Sequence, residues 1–90
     1  MSTNFLDKML LALTPVKLTD KLFFTKNLKL MLHASMPLTR ALESLRLQTE
    51  NKRLQSVLTV VYERIQKGDT FSEALRDHPR VFSEIFVNMI

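Results

Sequence analysis

The chain contains a single glycine, Gly68, in 90 residues. Phosphate-binding loops and dinucleotide turns use several glycines so that backbone N–H groups can approach a ligand closely, and tight β-hairpins need residues that reach positive φ. A sequence with one such residue and only three prolines therefore favours helices joined by short turns. The absence of Cys removes disulfide frameworks and thiolate zinc or iron–sulfur sites, and it favours a reducing compartment. No uncharged run approaches the roughly 18 apolar residues that a membrane helix requires. The N-terminus also lacks the basic stretch followed by an apolar run that marks a secretory signal. A chain of this length buries one modest core.

Charge is distributed unevenly. The whole chain has 13 Lys+Arg against 9 Asp+Glu, a formal charge of +4, with five Lys and two Asp between Met1 and His33 and a nearly balanced remainder. Apolar periodicity then divides the chain. Phe5, Leu6, Met9, Leu10 and Leu13 predict a short amphipathic helix ending before Pro15. Residues 1–18 read as this helix and a linker, and residues 19–90 as the helical domain proper.

A helix is expected from Thr19 to about His33, with Asp20 complementing its positive N-terminal dipole. Its apolar side would carry Phe23, Phe24, Leu28, Leu30 and Met31, and its polar side Lys21, Thr25, Lys26, Lys29 and His33. Pro37 suits the first position of the next helix, striped by Leu38, Ala41, Leu42 and Leu45. Asn51 caps a third, with an unbroken row of Leu54, Val57, Leu58, Val61, Tyr62 and Ile65, and Gly68 supplies the left-handed residue after it. Glu63 and Lys67 sit at the spacing of a helical ion pair. Thr70 and Glu73 form a capping box that opens a brief helix bearing Phe71, Ala74 and Leu75. Ile85, Phe86, Met89 and Ile90 make a final apolar segment. PLTRAL at 37–42 and TFSEAL at 70–75 echo one another across 33 residues, which shared helix-start chemistry explains better than a repeat.

Catalytic and metal-binding constellations are missing from the pattern. His33 and His78, the only histidines, read as ordinary solvated residues, with no partners at zinc-ligand spacing. Asp77 beside His78, with Ser72 or Ser83, lacks the arrangement of a hydrolytic relay, because adjacent residues on a turn seldom point together. No enzymatic activity, cofactor or metal is expected.

The order FTKNLKLMLHASMPLTRALESL, then Asn51, then QKGDTFSEALRDHPRVF resembles the N-terminal cytoplasmic domain of the type II secretion system F family. That family includes the GspF and PilC platform proteins of type II secretion and type IV pilus assembly. The positions that carry the resemblance are Phe24, Pro37, Leu38, Ala41, Leu42, Asn51, Gly68, Phe71, Ala74, Leu75, Pro79 and Phe82. Ser35 departs from the pattern, which has Gly there, so a left-handed backbone is less expected at that turn.

The resemblance implies an all-α antiparallel bundle of five to six short helices, an incomplete form of a six-helix cytoplasmic domain. It also implies a non-enzymatic scaffold on the cytoplasmic face of the bacterial inner membrane, whose partners are the assembly ATPase and other platform proteins. From the unbroken stripe of Leu54 to Ile65, Val57, Leu58, Val61 and Ile65 are expected to face the core. Lys21, Lys26 and Lys29 are the expected partner patch, for acidic protein or an anionic membrane surface, and self-association through the last apolar segment is expected as well. The alternative is a small basic helical nucleic-acid-binding protein, suggested by a pI near 9.8. Against it, no helix pair reads as a turn followed by an Arg/Asn-rich recognition helix.

Overall fold

A computed structural model of the chain describes residues 15–83. Four helices follow one another: α1 (Leu18–His33), α2 (Leu38–Gln48), α3 (Lys52–Gln66) and α4 (Phe71–Arg76). The described residues contain no strand. The helix expected over residues 5–13 and the apolar segment over 85–90 lie outside the described residues. Each helix packs on the next, α1 on α2, α2 on α3 and α3 on α4.

The helix starts follow local chemistry. Asn51 Oδ1 accepts the Leu54 N–H at 2.9 Å, and the Thr70 hydroxyl accepts the Glu73 N–H while the Glu73 carboxylate accepts the Thr70 N–H. Pro37 is the residue before α2 rather than its first, and its carbonyl accepts the Ala41 N–H as the first helical bond. The helix expected from Thr19 begins one residue earlier, at Leu18, with Lys17 at the cap position and Asp20 Oδ2 accepting the Lys17 N–H at 3.0 Å.

The core is a single cluster. Phe24 and Leu28 of α1, Ala41, Leu42 and Leu45 of α2, Leu54, Leu58 and Val61 of α3, and Ala74 and Leu75 of α4 are fully buried with Val81 and Phe82 beyond α4. Val57 and Ile65 are half-buried against it. Phe82 returns the chain to its beginning, its ring lying 5.5 Å from that of Phe24 and tilted by 45°.

Two expectations about α1 fail for one reason. Thr25, grouped with the lysines, is buried, with its hydroxyl donating to the Lys21 carbonyl at 2.9 Å. Phe23 and Leu30, assigned to the apolar side, are 43% and 59% exposed. Apolar residues occur all around this helix, so its hydrophobicity does not specify which stripe faces the core. Packing against α2 and Phe82 selects Phe24 and Leu28 and leaves the others outside.

The 33-residue echo is also more than shared helix-start chemistry. Ser35, like Gly68, has positive φ, 64° and 107° respectively, so the left-handed turn persists without glycine. After α1, Ser35 N–H donates to the Leu32 carbonyl and Met36 N–H to that of Met31. After α3, Gly68 N–H donates to Ile65 and Asp69 N–H to Arg64, the same paired bonds shifted by 33 positions. The shift continues into the buried pairs Ala41–Leu42 and Ala74–Leu75, and into Thr49 N–H on Leu45 and Phe82 N–H on His78. Among the described residues the architecture is thus one helical hairpin built twice.

Candidate interaction surface

α1 holds most of the exposed large apolar side chains among the described residues, Leu18, Leu22, Phe23 and Leu30 on its outer side and Leu32 nearer Leu28, with only Leu47 and Val60 elsewhere. Lys26 and Lys29 are exposed on this side, and with Leu30 and His33 they line a shallow depression of about 320 Å³. Lys21 is half-buried and does not line it. Five residues turn a helix by roughly 140°, so Lys21 faces away from Lys26. The periodicity of Leu22, Lys26, Lys29, Leu30 and His33 is itself helical and was legible in the sequence. It competes with the stripe of Phe24, Leu28 and Met31 on the same helix.

Two polar nodes fix the scaffold behind this surface. Asn51 caps α3 and also donates to the Pro15 carbonyl at 2.8 Å and to Asp20 Oδ2 at 3.3 Å, tying the starts of α1 and α3 together. Arg64 bonds Asp69 at 2.8 Å and also pairs with Asp77, linking the end of α3 to the end of α4. The Asp69 hydrogen bond raises the guanidinium pKa against the opposing effect of burial, and the charges of Asp77 and Asp69 add to the rise. These pairs take the place of the expected Glu63–Lys67 bridge. Sequence spacing could not find them, because the partners lie beyond the helix end.

His78 differs from the solvated residue expected. It is half-buried, and its Nε2 is enclosed without a hydrogen-bond partner. It lines a concavity of about 260 Å³ with Arg53, Val57, Asp77, Pro79, Arg80 and Val81. Burial lowers its pKa, opposed by Asp77 and reinforced by Arg64 and Arg53. His33 lies at the far end of α1, on the exposed side, and the described residues contain no group of three or more His, Asp or Glu placed to hold a metal ion.

Among the positions singled out in the sequence, Ala41, Leu42, Leu58, Ala74, Leu75 and Phe82 are core residues. Leu38 and Phe71 pack half-buried against that core. Pro37 and Pro79 are exposed at turns, while Asn51 and Gly68 hold the cap and the left-handed turn. No helix in the described part is long and apolar enough to cross a membrane.

Comparison with known proteins accounts for this pattern. The family described as Type II secretion system (T2SS), protein F matches residues 24–90, from the first core phenylalanine onward. A type IV pilus assembly protein PilC of Myxococcus xanthus is 36% identical over 70 residues, 78% of this chain and 17% of that protein. PilC of Thermus thermophilus is 38% identical over 73 residues, covering 81% of this chain and 18% of its own. A type II secretion system protein F of Vibrio cholerae is 32% identical over 71 residues, 79% of this chain and 18% of that protein. The chain thus spans less than a fifth of the length of these relatives. With a family match that runs through every core element from Phe24 to Phe82, the chain belongs to the type II secretion system protein F family.

Proposed function

We propose that the chain is a non-enzymatic scaffold domain of an inner-membrane platform protein for type II secretion or type IV pilus assembly. In this reading it lies on the cytoplasmic face and contacts the assembly ATPase and neighbouring platform components, further copies of itself included. Residues 19–90 form the main part of an antiparallel six-helix domain, preceded by an amphipathic helix and linker over 1–18. Lys21, Lys26 and Lys29 remain candidate contributors to its contacts.

The observation that carries the proposal is the family match over residues 24–90. The arrangement of the chain supports it, since the capped, densely packed helices spend their polar side chains on turns and helix ends rather than on a convergent site. The test is a titration of the purified chain against the cognate assembly ATPase, read by interferometry, beside a nucleotide-turnover assay of the chain alone. Saturable binding with no turnover by the chain is the expected result. Failure to bind the ATPase or any purified platform component would overturn it.

A further inference from the structure

On α1, Leu18, Leu22, Lys26, Lys29, Leu30 and His33 fall within about 120° of arc, opposite Phe24 and Leu28. Leu22 and Leu30 are 56% and 59% exposed, so neither belongs to the core. The one acidic residue of α1, Asp20, is occupied elsewhere, accepting from the Lys17 N–H and from Asn51. The face is therefore apolar and cationic, with no carboxylate.

The doubled hairpin provides an internal control. Thirty-three positions on, the same register of α3 carries Gln55, Thr59, Tyr62, Glu63 and Gln66 in place of Leu22, Lys26, Lys29, Leu30 and His33. Leu30 and Glu63 are both solvent-exposed at equivalent places. Of these α3 positions only Glu63 and Gln66 are exposed, while Gln55, Thr59 and Tyr62 are half-buried, with Gln55 donating to the Arg46 carbonyl of α2; the hairpin register therefore does not itself require leucine and lysine at the α1 positions.

We propose that this face is a peripheral contact for an anionic lipid surface. Leucines flanked by lysines on one side of a helix suit the boundary between headgroups and acyl chains, where the ammonium groups meet phosphates and the leucines leave water. The helix of 16 residues gives a contact about 24 Å long. The depression beside Lys26 and Leu30 is shallow. Protein interfaces concentrate their energy where anchors fill desolvated pockets, whereas a fluid lipid surface moulds itself to a convex helix. Charge complementarity calls for an anionic partner, and the shallowness of the depression favours lipid over protein.

The test is co-sedimentation of the full 90-residue chain with phosphatidylcholine vesicles and with vesicles containing phosphatidylglycerol, at low and high salt. Wild type is expected to bind only the anionic vesicles, and to lose most of that binding in high salt. The pair Lys26→Glu, Lys29→Glu is expected to weaken binding at least about tenfold, and Leu22→Gln with Leu30→Gln to weaken it several-fold. All four positions are exposed, so circular dichroism should show an unchanged fold. The control pair Lys52→Glu, Lys67→Glu removes the same charge from the start of α3 and the residue just after its end, and should bind as wild type does.

Equal loss in the control would reduce the effect to net charge and overturn the proposal, as would undiminished binding by both α1 variants. Indifference to all vesicles, with the α1 variants instead losing the cognate ATPase, would make the face a protein contact and overturn the lipid assignment. Because the vesicle arms contain no other protein, their failure is distinguishable from failure of the scaffold reading.

Discussion

His78 is the residue whose charge state is most closely tied to the fold. Its folded-state pKa lies below the ordinary value near 6.5, chiefly because burial disfavours the imidazolium, with Asp77 opposing and Arg64 and Arg53 adding to the shift. Arg80 lines the same concavity. As pH falls, the unfolded chain takes up the proton first, so this contribution to stability is complete above the ordinary value. It declines as the pH passes below that value toward the lowered one. Urea unfolding at about pH 7.5 and about pH 5.5 should therefore show a larger loss for wild type than for His78→Gln, which cannot titrate. Carboxylates such as Glu73, whose pKa is lowered by its bonds to Thr70, act alike in both proteins, so the difference isolates the imidazole. Equal losses would show that His78 charges freely in the folded chain. The His-Pro dipeptide marks a turn in the sequence, but it contains no sign of this burial, which arises where the turn folds back beside Arg53 and Val57 of α3.

At the scale of elements, two left-handed turns do the same work with different residues. Ser35 holds φ at 64° despite its Cβ, and Gly68 holds 107°, with open space where a Cβ would go. Left-handed backbone costs a residue with a side chain roughly 1 kcal/mol or more. Gly68→Ala should therefore lose about 1 kcal/mol from strain alone, because no clash contributes. Ser35→Gly should be neutral or stabilising by up to about 1 kcal/mol, the relief being partly offset by the freer unfolded chain. Chemical denaturation of the two variants measures both, and a destabilising Ser35→Gly would show that the serine side chain has a structural role of its own. Helix starts and stops are legible at this scale because capping is local: Asn51, Thr70 with Glu73, and Gly68 each act within a few residues of themselves. The turn at Ser35 is harder to read, since the paired backbone bonds that hold it leave no mark on side-chain identity.

For the molecule as a whole, closure of the core depends on residues distant in sequence. Phe82 reaches Phe24 across the bundle, joining the segment after α4 to α1. Phe82→Ala should lose about 3–5 kcal/mol, and Leu58→Ala about 2–5 kcal/mol, each a large fraction of the stability of a small domain. If the four helices form one cooperative unit, unfolding of Phe82→Ala monitored by helix content and by proteolysis near residue 82 will share one midpoint. A separate early transition near residue 82 would mean that this segment only rests on a finished core.

Sequence alone determined the all-α class, the places where three helices begin and the buried row of α3, because each depends on contacts within a turn or two of chain. It also determined family membership, which rests on the order of those elements. Tertiary structure decided which stripe of α1 is buried, since an apolar helix presents several competing stripes and only the shape of α2 and Phe82 chooses among them. It decided, too, the pairing of Arg64 with Asp69 and Asp77 and the burial of His78. Those contacts exist only once the ends of α3 and α4 are brought together, a distance in space that spacing along the chain does not encode.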